Sequence, residues 1–187
     1  MPPTASDELK FRLEETLADR LYAKEPISLE EQLGKQLATT GLTAVTAESC
    51  TGGLVAARIT GISGSSDYFT TSFVSYSNQA KSNFYTGLEP LIKQRGAVSA
   101  EVAMAMARGA LRIGQADLAV AVTGIAGPSG GSDEKPVGTV FLAAVNGIGD
   151  ALDCRHQYLG GRDQVRIQAS QTALHMLRRI SISMLPK

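Results

Sequence analysis

The sequence predicts an α/β fold: a three-layer α/β/α sandwich around a mixed sheet, preceded by an N-terminal helical extension. Three patterns predict it. β-leaning runs alternate with helical periodicity through the middle of the chain. One of those runs, Ala119-Val120-Ala121-Val122, is apolar throughout, as a strand covered on both faces must be. Asn146-Gly147 between two late strand-like runs supplies hairpin turn chemistry, which adds antiparallel strands to a parallel set.

The elements follow in order. From Ser6 to about Lys24, Leu9, Leu13, Leu17 and Leu21 recur every fourth position among charged residues, which predicts an amphipathic helix packed as an add-on against the main body. We divide the chain accordingly into an extension, 1–27, and a domain, 28–187. Pro26 ends the first helix. Ser28-Leu29-Glu30-Glu31 then has the form of a capping box, opening a helix that Gly41 should close. Thr43–Ala47 reads as a strand, running through a glycine-containing turn into a helix from Leu54. Phe69–Tyr76 reads as a second strand, followed by short helices around Gln79–Tyr85 and Glu89–Gln94. Ser99 can cap a helix over Glu101–Ile113 in which Met104 and Met106 are core candidates. Strands at Ala119–Val122, Val137–Val145 and about Ala151–Tyr158 complete the sheet. A helix over Arg162–Met184 closes the chain, with Val165, Ile167, Ala169, Ala173, Leu174 and Leu177 assigned to its inner face.

Composition narrows the function. With 187 residues, 43% of them hydrophobic, the chain suits one compact domain, and 18 basic against 18 acidic residues leave no global field to attract nucleic acid or an anionic membrane. No apolar run reaches membrane-spanning length. Two cysteines, Cys50 and Cys154, are too few for a disulfide framework, and no segment resembles a signal peptide, so a cytoplasmic setting is expected. The two histidines, His156 and His175, lack metal-ligand spacing, and no metal is expected.

Ser49 falls where a strand turns sharply into a helix, a position that exposes a hydroxyl near helix N-terminal amides. The G-x-S-x-G elbow is absent, and the plain alternative is a serine that merely forms or caps the turn. Neither histidine sits in a loop that reaches Ser49. Tyr76 and Lys81 offer a base instead, because a desolvated lysine beside a tyrosine can accept a serine proton; the alternative is a solvated lysine and an edge-strand aromatic. Cys50 competes as a nucleophile, since a helix start would lower its pKa, against the alternative of a small buried residue. Gly124-Ile125-Ala126-Gly127-Pro128-Ser129-Gly130-Gly131 offers unobstructed amides for an anionic group, although it is no P-loop and unliganded glycine loops are common. Arg162 could supply a phosphate fork or be structural.

Taken together, Ala47-Glu48-Ser49-Cys50-Thr51-Gly52-Gly53, Tyr76-Ser77-Asn78-Gln79-Ala80-Lys81, Gly96-Ala97-Val98-Ser99, Thr123-Gly124-Ile125-Ala126-Gly127-Pro128 with Gly130-Gly131, and Lys135-Pro136-Val137-Gly138-Thr139-Val140 resemble the CinA C-terminal domain family, the nicotinamide mononucleotide deamidases of PncC type. The resemblance runs from about Glu31 to Leu185. It implies hydrolysis of nicotinamide mononucleotide to nicotinic acid mononucleotide and ammonia, within pyridine nucleotide recycling and with no cofactor. It also implies Ser49 as nucleophile with Tyr76 and Lys81 as partners, and Arg162 as a substrate contact. Substrate binding is expected from Cys50, Thr51, Gly52 and Gly53, from Gly124, Ile125, Ala126, Gly127, Gly130 and Gly131, and from Arg162. The amides of 50–53 would hold the oxyanion, Lys81 would take the Ser49 proton directly or through Tyr76, and a homo-oligomer is expected. Many relatives carry a large N-terminal domain, where this chain has only a short extension. A nucleotide-binding module without turnover, and an amidase for another carboxamide, remain as rivals.

Overall fold

The computed structural model describes residues 5–17 and 21–185. Five strands form one sheet in the order β2-β1-β3-β4-β5: β1 (Ala44–Glu48), β2 (Phe69–Val74), β3 (Leu118–Gly124), β4 (Thr139–Asn146) and β5 (Ala151–Gln157). β1 runs parallel to both β2 and β3, whereas β4 pairs antiparallel with β3 and with β5. The sheet is mixed, as the Asn146-Gly147 turn predicts. Because β1, β2 and β3 run the same way, their carboxyl ends open on one edge, where ligands gather in α/β sheets.

Among the described residues seven α-helices accompany the sheet: α1 (Ala5–Leu17), α2 (Leu29–Thr40), α3 (Leu54–Thr60), α4 (Asn78–Phe84), α5 (Leu88–Arg95), α6 (Ala100–Gly114) and α7 (Arg162–Ile182). Side chains alternate across β3. Leu118, Val120 and Val122 join a core with α2, α3 and α7, while Ala119 and Ala121 face α5 and α6. The small residues suit α6, whose own inner face is largely alanine, Ala103, Ala107 and Ala110 around Met106, so that helix and sheet approach closely. The capping box of α2 forms as its sequence requires: Glu31 N donates to Ser28 Oγ, and Ser28 N donates to the Glu31 carboxylate at 2.7 Å. Gly41 closes the helix in the left-handed conformation, φ 69°. No helix of the described residues is long and apolar enough to cross a membrane.

Four expectations are corrected. The opening helix is described over Ala5–Leu17, residues 18–20 lie outside the described residues, and Leu21–Ala23 are not helical. Its stripe is not packed on the body, since Leu9, Leu13 and Leu17 are exposed. On α7, Ile167 points to solvent, 57% exposed; the turn of helix that carries it rotates Val165 and Ala169 inward instead. β1 reaches one residue further than its apolar run, to Glu48, which sits in register between Val74 and Val122. A carboxylate in the middle of a sheet requires partners, and these build the site described below.

The inward and outward faces of α7 are separable by mutation. Leu174→Ala should cost about 2–5 kcal/mol, as large-to-small changes in a full core do. Ile167→Ala should stay within about 0.5 kcal/mol. Urea unfolding of the two variants checks the assignment, and equal losses would contradict it.

Candidate active site

The site starts from the last residue of β1. Glu48 is fully buried and its side chain turns toward the start of α3. Oε2 accepts N–H bonds from Gly53 (2.9 Å) and Val55 (3.1 Å), and Oε1 accepts one from Ala56 (2.8 Å) and a long one from the Thr46 hydroxyl (3.4 Å). These are orphan donors of a helix start, so Glu48 serves as the cap that Gly53, lacking a side chain, does not provide. Gly52 and Gly53 take φ of 61° and 91°, a left-handed pair that lets the chain double back within a few residues. Gly52 N donates to Ser49 O (3.0 Å), and the turn is closed.

Ser49 is held on this turn with its amide bonded to Val122 O (3.0 Å). Its Oγ lies 2.8 Å from Lys81 Nζ. Lys81 comes from α4, which Ser77 caps by accepting the Ala80 amide. The lysine is 1% exposed, and burial lowers its pKa, disfavouring the ammonium form. Its other hydrogen-bond partner is the Ser75 carbonyl, 2.9 Å away, and neither partner is a carboxylate. Cys50 turns into the core beneath the site. Burial pushes its thiol up to about 11, against the expectation that the helix start would lower it.

Above Ser49 lies an open cleft of about 260 Å³, the scale of a single small ligand. Ser49, Cys50, Tyr76 and Arg162 line it together with Gly124–Gly127, Ser129 and Gly130. Arg162, at the first turn of α7, donates through Nη1 to Gly127 O (3.1 Å) and through Nη2 to the Tyr76 hydroxyl (2.6 Å). One turn further on, Arg166 donates to Thr51 O through Nη2 (3.0 Å) and Nε (3.3 Å). The glycine of Gly124 has a packing reason: a Cβ there would lie 2.7 Å from Val140 Cγ2 and 2.8 Å from Thr139 O. His156 stacks on Tyr158 with centroids 5.1 Å apart, and neither histidine lines the cleft.

Residues 26–181 match the model of the CinA C-terminal domain. The chain belongs to the CinA C-terminal domain family. A CinA-like protein of Citrifermentans bemidjiense is 50% identical over 167 residues, covering 89% of this chain and 40% of that protein. The chain thus spans about two fifths of the length of several such CinA-like relatives. A protein of Escherichia coli named nicotinamide-nucleotide amidohydrolase PncC is 50% identical over 153 residues, 82% of this chain and 93% of that one. Among solved structures, the competence/damage inducible protein CihA of Agrobacterium tumefaciens superposes with a TM-score of 0.78 at 42% identity, covering 84% of this chain and 99% of that one.

In this CinA-family chain the expected residues divide. Ser49 and Lys81 come together directly, whereas Tyr76 bonds Arg162 and has no hydrogen bond to Lys81. Gly124, Ile125, Ala126, Gly127, Gly130 and Arg162 line the cleft with Cys50. Thr51, Gly52, Gly53 and Gly131 do not line it; Thr51 is fully buried, and the Gly53 amide is spent on Glu48. The Gly52 amide is likewise spent on Ser49 O, so of the four amides expected at the oxyanion only those of Cys50 and Thr51 lack an oxygen acceptor among the described residues. Ser129, Ser75, Arg166 and Glu48 are the additions. Ser129 belonged to a loop already singled out, and Glu48 to a quoted motif, but its long reach back onto 53–56 leaves no local signature. Among the described residues no group of three or more His, Cys, Asp or Glu is placed to hold a metal ion.

The thiols give a direct check. Burial also raises Cys154 to about 11, so near pH 8 only about one thiol in a thousand would be ionised at either position. Iodoacetamide should label the folded protein far more slowly than the unfolded chain, and rapid labelling of Cys50 would contradict the buried geometry.

Proposed function

We propose that this chain is an amidohydrolase that converts nicotinamide mononucleotide to nicotinic acid mononucleotide and ammonia, with Ser49 as nucleophile and Lys81 as its base. The observation that carries the proposal is the 2.8 Å contact between Ser49 Oγ and a buried, uncompensated Lys81 amine at the floor of the cleft. A neutral amine has one lone pair and two N–H bonds. The lone pair receives the Ser49 hydroxyl proton while one N–H stays on Ser75 O, so the amine faces the serine as a base. The 50% identity to the Escherichia coli amidohydrolase supports the choice of substrate.

Ser49 Oγ attacks the carboxamide carbon as Lys81 takes its proton. The Cys50 amide, on the residue that follows Ser49 and lines the cleft, is the donor for the oxyanion. Lys81 returns the proton to the departing nitrogen, the C–N bond breaks to release ammonia, and the acyl group stays on Ser49 as an ester. Water then attacks the ester with Lys81 again as base, releasing the nicotinate nucleotide and restoring the serine. Tyr76 is not needed as a relay; it holds Arg162 at the cleft, where the guanidinium and the amides of Ala126, Gly127, Ser129 and Gly130 meet the substrate phosphate. The reading places the enzyme in the cytoplasm, in pyridine nucleotide recycling, as a homo-oligomer with residues 1–27 as an extension. Two free thiols support the reducing compartment.

Ammonia release decides the matter. Ser49→Ala and Lys81→Met should lose about a thousandfold or more in kcat, whereas Cys50→Ala should keep most of the activity. Nicotinamide and asparagine should be poor substrates beside the mononucleotide. The rate should fall as pH drops through the Lys81 pKa, because the protonated amine accepts nothing, and that midpoint should lie below the ordinary lysine value. Equal activity in Ser49→Ala and Cys50→Ala would overturn the assignment, and tight binding with no ammonia would make the chain a binding module.

A further inference from the structure

Both halves of the Ser49–Lys81 contact trace to one residue. On the serine side, the Glu48 carboxylate holds the amides of Gly53, Val55 and Ala56 and so fixes the turn on which Ser49 rides. On the lysine side, the Glu48 carbonyl accepts the Ser75 amide (2.9 Å), and the Ser75 carbonyl in turn holds Lys81 Nζ. A neutral Ser, Thr or Asn at the cap would satisfy a helix start without burying a charge, and burying one is costly unless it is fully bonded. The geometry points to Glu48 as a positioning residue that sets the distance between the Ser49 nucleophile and the Lys81 amine. By occupying the start of α3 its carboxylate also keeps those three amides from the substrate.

This inference rests on the proposed Ser49–Lys81 chemistry, and its test separates the two. Glu48→Gln keeps the side-chain shape but sets an NH₂ group against either the Ala56 amide or the Gly53 and Val55 amides. Glu48→Ala removes all three bonds. Glu30→Gln serves as the comparison: it weakens the 2.6 Å Arg58–Glu30 pair that ties α3 to α2 and touches nothing in the Ser49 turn. Two rates are read on folded protein: kcat and KM for ammonia release, and the rate at which a fluorophosphonate modifies Ser49, which reports activation of the serine whatever the substrate. Displacing the nucleophile by a fraction of an ångström should lower kcat roughly 10- to 100-fold in Glu48→Gln, with more loss in Glu48→Ala. KM should change little, because Gly124 at the end of β3, the loop that follows it and Arg162 on α7 line the cleft from outside the Ser49 turn, and the fluorophosphonate rate should fall with kcat. Glu30→Gln should lose stability without losing either rate. If folded Glu48→Gln matched wild type in both rates, or if Glu30→Gln lost as much rate for the same loss of stability, Glu48 would be a helix cap only. If wild type reacted with the fluorophosphonate and released no ammonia, the substrate reading would fail while the comparison of Glu48 variants still stood. If wild type did neither, both would fall.

Discussion

A carboxylate buried at the end of a central strand has to be bonded on all sides, and in this molecule the bonds that satisfy Glu48 are the ones that shape the site. Three amides of the following helix turn back onto it, which forces the chain into the two left-handed glycines and leaves Ser49 at the apex. The adjoining strands obey the same end. Glu48 pairs with Val74 on one side and Val122 on the other, so the carboxyl ends of β2 and β3 are brought level with it. The turn after β2 delivers Ser75 and Lys81, and the turn after β3 delivers the glycine loop. The cleft is therefore a consequence of parallel pairing plus one satisfied charge.

Desolvation does the remaining chemistry. The same burial acts in opposite directions on two neighbours: it lowers Lys81, whose charged form is the cation, and raises Cys50, whose charged form is the anion. The amine is favoured over the ammonium and the thiol over the thiolate. A carboxylate paired with Lys81 would have reversed the first effect, and Glu48 avoids this by turning its side chain to the amides of α3. Further out, Arg162 and Arg166 on the first two turns of α7 bridge to Gly127 and Thr51. The loop after β3 and the Ser49 turn are thus tied to the same helix.

Much of this was legible in the sequence where the signal is local. Periodicity located the helices, Ser28 and Glu31 announced a capping box, and the uninterrupted apolar run at 119–122 marked a strand with cover on both faces. Ser49 and Lys81 stood out once no histidine could reach the turn. What escaped was long-range or directional. Glu48 reads as a polar end to a strand, because its partners are backbone amides that carry no residue identity. Arg166 bonds a carbonyl more than a hundred residues away, and Tyr76, which lies beside Lys81 in one short motif, sends its hydroxyl to Arg162 instead. The exposed stripe of Leu9, Leu13 and Leu17 shows the converse: amphipathic periodicity predicts a helix but says nothing of what, if anything, covers it.

The central claim is that burial holds the pKa of the Lys81 amine bonded to Ser49 below the ordinary lysine value. Nitrogen-15 NMR of lysine-labelled protein, followed through a pH titration, measures this without reference to any substrate. One side-chain resonance should titrate below the other lysines and shift again in Ser49→Ala, identifying it as Lys81. A titration in which every lysine moved together near the ordinary value would contradict the account.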